Sequence, residues 1–107
     1  MHDIQKIMVK PKKILENCTG FEWDQGNLSK NWDKHDVSNG ECEQIFFNRP
    51  LIIKRYKEHS KIENRYYVLG RTNVNRMLFA VFTVRNDKIR IISARDMTDA
   101  EIERYLK

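Results

Sequence analysis

The sequence predicts one α+β domain: a curved antiparallel sheet with two N-terminal helices packed on it and a short C-terminal helix. Three observations carry that expectation. Tyr66 to Gly70, Met77 to Val84 and Lys88 to Ala94 are rich in β-branched and aromatic residues. They are separated by the turn-formers Thr72-Asn73-Val74-Asn75 and Asn86-Asp87, the pattern of an antiparallel meander. Two capping boxes, Ser38 with Glu41 and Thr98 with Glu101, mark helix starts on either side of that run. A chain of 107 residues holds one core and is too short for two.

Taken in order, residues 1–20 sustain no hydrophobic period and read as an N-terminal extension to a domain spanning 21–107. Ile4, Ile7, Met8 and Ile14-Leu15 are available there for a short element against the body. Phe21-Glu22-Trp23-Asp24 alternates apolar and acidic residues, the mark of a short half-buried strand. Asp24 or Asn27 caps the helix that follows. From Leu28 the apolar positions thin to Leu28, Trp32 and Val37, so this helix buries one narrow stripe, with Lys30, Lys34 and His35 on its remaining surface. Cys42, Ile45, Phe46 and Phe47 form the apolar face of a second short helix, stopped by Asn48-Arg49-Pro50. Leu51-Ile52-Ile53 begins a strand that gives way to a charged loop from Lys54 to Glu63. Met77 to Val84 is apolar on both faces apart from Thr83, which makes it a central strand covered on at least one side. In the last helix Ile102 and Leu106 share one face, and Glu101 and Tyr105, four apart, share another.

Charge narrows the function. The net charge is +5, and residues 1–53 hold seven Lys/Arg against eight Asp/Glu while residues 54–107 hold thirteen against seven. The excess therefore lies wholly in the second half, where arginines recur at strand ends and turns. A guanidinium stays charged at every relevant pH and grips phosphate through two parallel hydrogen bonds, so such a sheet is suited to a polyanion. A solvated basic surface has the same composition. Cys18 and Cys42 form no C-x-x-C pair and have no histidine at metal-ligand spacing, which fits a reduced, cytoplasmic protein with no metal site. Residues 1–15 contain no continuous apolar core and read as neither signal peptide nor membrane span.

Phe21-Glu22-Trp23-Asp24, Asn31-Trp32-Asp33-Lys34-His35, Arg65 ahead of Val68-Leu69-Gly70, Ile92-Ser93-Ala94-Arg95, Thr98, Glu101 and Tyr105 occur in that order. Together they resemble the BrnT family of type II toxins, ribonucleases with a compact RelE-like fold, over about residues 21–106. Asp36 stands where that family usually has glycine, and Ile102 where a basic residue is common. The resemblance implies an endoribonuclease that inhibits translation without a cofactor. It also implies a BrnA-like antitoxin partner that masks the active surface, with DNA engaged only indirectly through the antitoxin. The alternative is a non-catalytic RNA- or protein-binding module on the same scaffold.

Metal-independent cleavage of RNA uses the 2′-hydroxyl as nucleophile. It needs a proton acceptor, a proton donor for the leaving 5′-oxygen, and charge around the phosphorane. Arg65 and Arg95 are the candidates for charge stabilisation. His35 is the acid or base with a suitable ordinary pKa, and Glu101 and Tyr105 are the alternatives on the last helix. Lys34, Arg71, Arg76 and Arg90 are candidate RNA contacts. Arg90 and Arg95 are five residues apart, so strict alternation puts them on opposite faces; they share a face only if the strand bulges or ends before Arg95. Arg90 is then either an RNA-backbone contact or part of a structural ion pair. Tyr66 and Tyr67 must point to opposite faces, one into the core and the other free to stack a base, depending on register. Lys54-Arg55-Tyr56-Lys57 interleaves basic and aromatic residues, as an RNA-gripping edge does and as a solvated loop does too.

Overall fold

A computed structural model describes residues 13–23, 30–59 and 62–107. Asp24, Asn27 and Leu28, and the possible element around Ile4, Ile7 and Met8, lie outside them. Five strands, β1 (Gly20–Glu22), β2 (Ile52–Arg55), β3 (Tyr66–Arg71), β4 (Met77–Arg85) and β5 (Lys88–Asp96), form one sheet in the order β1-β5-β4-β3-β2. The meander is antiparallel as expected, and β4 is its central strand. The sheet as a whole is mixed, because β1 runs parallel to β5, Phe21 opposite Ile89. That is a correction to the all-antiparallel expectation. The pairing joins residues far apart in sequence, held by the Thr19 amide donating to the Asp87 carbonyl at 2.8 Å, and local pattern carries no trace of it.

Turn chemistry fixes the meander's register. Asn86 and Asp87 both take positive φ, 53° and 60°, the two left-handed positions that a type I′ hairpin requires and that Asn and Asp tolerate. Between β3 and β4 the turn closes through Asn75 at φ 67°, with the Thr72 hydroxyl accepting from the Arg76 amide at 3.0 Å.

Helices α1 (Lys30–His35) and α2 (Asn39–Gln44) precede β2, and α3 (Asp99–Tyr105) ends the chain. Both expected capping boxes form, Ser38 with Glu41 opening α2 and Thr98 with Glu101 opening α3. A 3-10 turn, Ile45–Phe47, continues α2. Cys42, Ile45 and Phe46 are buried in the main core with Val68, Leu78, Ala80, Phe82, Ile89, Ile91 and Ala94, so the second short helix packs through the residues expected of it. The turn presses on β3 at Gly70, where a β-carbon would lie 2.9 Å from Cβ of Ile45.

Of the narrow stripe expected on the first helix, Leu28 lies outside the described residues and Val37, just past the end of α1, is buried in the main core. Trp32 is 56% exposed, and the buried residue of α1 is Asn31. Its side-chain oxygen accepts the Ala94 amide of β5 at 2.9 Å, so a polar side chain satisfies an N–H of that strand. Between α1 and α2, Asp36 takes φ 54°, the left-handed conformation in which glycine carries no steric cost. Leu15 and Cys18 are also in the main core, so the stretch from Lys13 packs as part of the body. Finally, β2 runs on through Lys54 and Arg55 before a 3-10 turn, Lys57–His59, where a charged loop was expected from Lys54. Consecutive exposed residues, such as Lys54 and Arg55 at the end of this edge strand, look like a loop to any reading of hydropathy.

Candidate active site

One face of the sheet is the core; the other carries the arginines. Register places Lys54 opposite Tyr67, Tyr67 opposite Val81 and Val81 opposite Ser93, and in the next row Leu69 opposite Phe79 and Phe79 opposite Arg95. Tyr66, one residue away, falls on the core face and stacks on Phe82 at 5.5 Å, leaving Tyr67 to the other face. On β5 the pairing shifts at Ile92: Ser93 faces Val81 while Ile91 faces Phe82. This bulge adds the extra residue that puts Arg90, opposite Thr83, on the same face as Arg95. Arg90 uses that position to pair with Glu22 of β1 at 3.0 Å.

Helix α3 covers one end of this face through a second small core of Leu69, Met97 and Tyr105, with Ile52, Met77, Phe79 and Ile102 packed on it. Tyr56 and Asn64-Arg65 flank the other end, tied down by the Tyr56 amide to the Arg65 carbonyl at 2.8 Å and by the Thr83 hydroxyl to the Asn64 carbonyl at 2.7 Å. Between them lies a cleft of about 280 Å³ lined by Tyr56, Arg65, Phe79, Val81, Ile92, Ser93 and Arg95. The Arg95 guanidinium sits 4.2 Å from the centre of the Phe79 ring. It also grips Glu101 in a bidentate pair, 2.8 and 3.1 Å.

The electrostatics follow from that pair. Hydrogen bonding to Arg95, above all, holds the Glu101 carboxyl below its ordinary range, and Glu101 in turn raises the Arg95 guanidinium. Glu101 keeps its local task as well, accepting the Thr98 amide at 2.8 Å. A single carboxylate thus fixes both the start of α3 and the position of Arg95 over Phe79. Arg65 lies across the cleft, 3.9 Å from Glu63.

Of the residues nominated from sequence, Arg65 and Arg95 line this cleft and Glu101 is tied to it through Arg95; the others do not reach it. His35 ends α1 and is exposed; its carbonyl accepts from Arg76 at 3.2 Å, and its neighbour there is Asp96, which faces away from Arg95 on β5. Lys34, on the same helix, is exposed. The nominated RNA contact Arg76 is committed elsewhere: it binds Asp96 at 2.7 and 3.1 Å, Glu41 at 3.2 Å and the carbonyls of Asp36 and His35, clasping the α1–α2 junction to the sheet. Arg76 draws the Asp96 carboxyl below its ordinary range. Tyr105 is 3% exposed and donates to the Pro50 carbonyl at 2.7 Å. Burial raises its phenol, so it serves as a packing residue with a satisfied hydroxyl. Arg71 donates to the Arg49 carbonyl and to Asn75, both at 2.8 Å, beside a separate cleft bounded by Pro50, Met77 and Tyr105.

Sequence reasoning missed Phe79 as a site residue, because an unbroken apolar strand hides which of its rings faces outward. Tyr56 was visible only as the aromatic in Lys54-Arg55-Tyr56-Lys57. Among the described residues no three His, Cys, Asp or Glu side chains cluster as metal ligands. Burial pushes the Cys42 thiol up to about 12, so it stays protonated.

Residues 23–101, which span the cleft and strands β2 to β5 of the sheet that bears it, match the family described as the ribonuclease toxin, BrnT, of type II toxin-antitoxin systems. The chain belongs to the BrnT family. No curated protein matches it significantly. Family membership makes RNA the substrate and an antitoxin protein the partner, in agreement with the resemblance read from the sequence. Among the described residues no helix is long and apolar enough to cross a membrane.

Proposed function

We propose that this BrnT chain is a cytoplasmic endoribonuclease that cleaves RNA without a metal ion, inhibits translation, and is masked by a BrnA-like antitoxin. The observation that carries the reading is the convergence of Arg95, clamped by Glu101, and Arg65 on one cleft walled by Phe79 and Tyr56. Two guanidinium groups bracket the scissile phosphate and stabilise the charge that develops as the 2′-oxygen attacks phosphorus and the P–O5′ bond breaks, giving a 2′,3′-cyclic phosphate and a 5′-hydroxyl whose proton comes from solvent. Preorganised cations of this kind contribute several kcal/mol in a partly desolvated site. Glu101, ionised and against Arg95, is the nominated group best placed to accept the 2′-hydroxyl proton. His35 and Tyr105 do not reach the cleft and are left out of the mechanism. An open sheet face bearing arginines supports the proposed kinship with RelE-like ribonucleases.

Cleavage of a long single-stranded RNA in excess chelator, by the native protein and by Arg95→Ala, tests the reading. The native protein is expected to cut and the variant to lose about 100-fold or more in rate while melting cooperatively. Equal cutting by the two would remove Arg95 from the site. Intact RNA bound by the native protein would favour the non-catalytic binding module.

A further inference from the structure

Next to the Arg65–Arg95 cleft, across a ridge of aromatic rings, lies a second cleft of about 500 Å³ lined by Ile52, Ile53, Lys54, Tyr67 and Arg104. The ridge is built by Tyr67 stacked on Phe79, centroids 5.6 Å apart at 21°, with Tyr56 edge-on to both at 5.7 and 6.5 Å. Each cleft brings a guanidinium to one of these rings: Arg95 to Phe79 and, 5.7 Å from the ring centre, Arg104 to Tyr67. The two cations of the second cleft differ from five arginines of the sheet and its turns. Arg65, Arg76, Arg85, Arg90 and Arg95 all have carboxylate partners, whereas among the described residues neither Lys54 nor Arg104 has one. Both are exposed.

A planar ring beside two cations without carboxylate partners matches the chemistry of one nucleotide, a π-face for the base and positive charge for its phosphate. Resting on the ribonuclease reading above, we propose that this cleft is a nucleotide subsite: Tyr67 stacks the base next to the scissile phosphate, and Lys54 and Arg104 hold the backbone beside it. The substrate must then be unpaired at the nucleotide in this cleft, because a base within a duplex is already stacked and offers no free face. An acidic segment of the antitoxin would use the two cations but would leave the ring without a matching partner, so the geometry favours RNA. Continuity with the Arg95 cleft through the shared ridge gives the strand a path from one site to the other.

The test uses the full chain and a fluorescent single-stranded 2′-O-methyl oligonucleotide, which binds but lacks the nucleophile. Its affinity is followed across a salt series for the native protein, Arg104→Ala, Tyr67→Leu and the charge-matched control Lys13→Ala, an exposed residue of the 3-10 turn Lys13–Leu15, which packs on the main core and away from this face. Arg104→Ala is expected to weaken binding and to reduce the slope of log affinity against log salt by about 0.7, the value for one phosphate contact on a single strand. Tyr67→Leu should weaken binding about 5-fold or more with the slope unchanged, since stacking is not ionic. Circular dichroism and melting of each variant confirm that it folds. If both variants bind as Lys13→Ala does while the native protein still cleaves RNA, the subsite is overturned and the ribonuclease reading stands. If the native protein neither binds the oligonucleotide nor cleaves RNA, both fall. Unchanged oligonucleotide affinity with lost antitoxin binding would overturn the subsite and assign the cleft to the protein partner.

Discussion

Replacing Glu101 by glutamine separates two tasks that one carboxylate performs. In the folded chain Glu101 accepts the Thr98 amide at 2.8 Å, completing the cap of α3, and pairs with Arg95 through two hydrogen bonds of 2.8 and 3.1 Å. Glutamine can keep the cap, since Gln serves at that position of a capping box, but it loses the charge that holds Arg95. The side chain of Glu101 is 15% exposed and that of Arg95 36%, so the pair is partly screened and is assigned about 1 kcal/mol. Alanine removes the cap too, adding about 1 kcal/mol. Glu101→Gln should therefore lower the melting temperature by about 4 °C and Glu101→Ala by about twice that. The pH dependence has a definite sign. Folding holds the Glu101 carboxyl below its ordinary value of 4.5, so the unfolded chain binds more protons and stability rises with pH. The contribution is complete above about pH 4.5 and is lost as pH falls through the folded value, and Glu101→Gln should flatten that acid limb. Calorimetry from pH 3 to 7 with RNA cleavage in parallel reads both effects. If Glu101→Gln costs as much stability as Glu101→Ala, the division between cap and ion pair is refuted. If it cleaves RNA at the native rate, Glu101 neither places Arg95 nor accepts the proton.

Two further outcomes test the scaffold. Gly70→Ala puts a β-carbon 2.9 Å from Cβ of Ile45 and 3.2 Å from its carbonyl oxygen, atoms that cannot swing aside, and should cost about 2 kcal/mol; a urea midpoint equal to the native one would show that the turn shifts freely. Arg76→Gln cannot reproduce the fork that binds Asp96, Glu41 and two carbonyls and should cost about 2 kcal/mol, leaving the salt slope of oligonucleotide binding unchanged; a shallower slope would return Arg76 to the RNA contacts.

The parts of the fold set by local chemistry were legible. Ser38-Glu41 and Thr98-Glu101 announced helix starts because a cap is made by residues three apart, and Asn86-Asp87 announced the hairpin because both must tolerate positive φ. The role of α1 was not legible. Hydropathy pointed to Trp32, while the contact that seats the helix is a polar one from Asn31 to the amide of Ala94, 63 residues on. The parallel pairing of β1 with β5 escaped for the same reason: its partners are set by the whole sheet and leave no local period.

The candidate site divides along the same line. Residue chemistry and the family resemblance together selected Arg65, Arg95 and Glu101, since phosphate chemistry needs fixed cations and few residue types supply them. They also selected His35, Tyr105 and Arg76, which have equally suitable groups. Only the tertiary structure sorted these, because facing is decided by register: one bulge at Ile92 sets Arg90 and Arg95 on a common face, and one alternation sends Tyr66 to the core and Tyr67 to the cleft. A chain's composition determines which chemistry it can offer, and by itself determined here that the offer is cationic. Which of those groups stand together depends on strand pairings between distant residues, and there the sequence is silent.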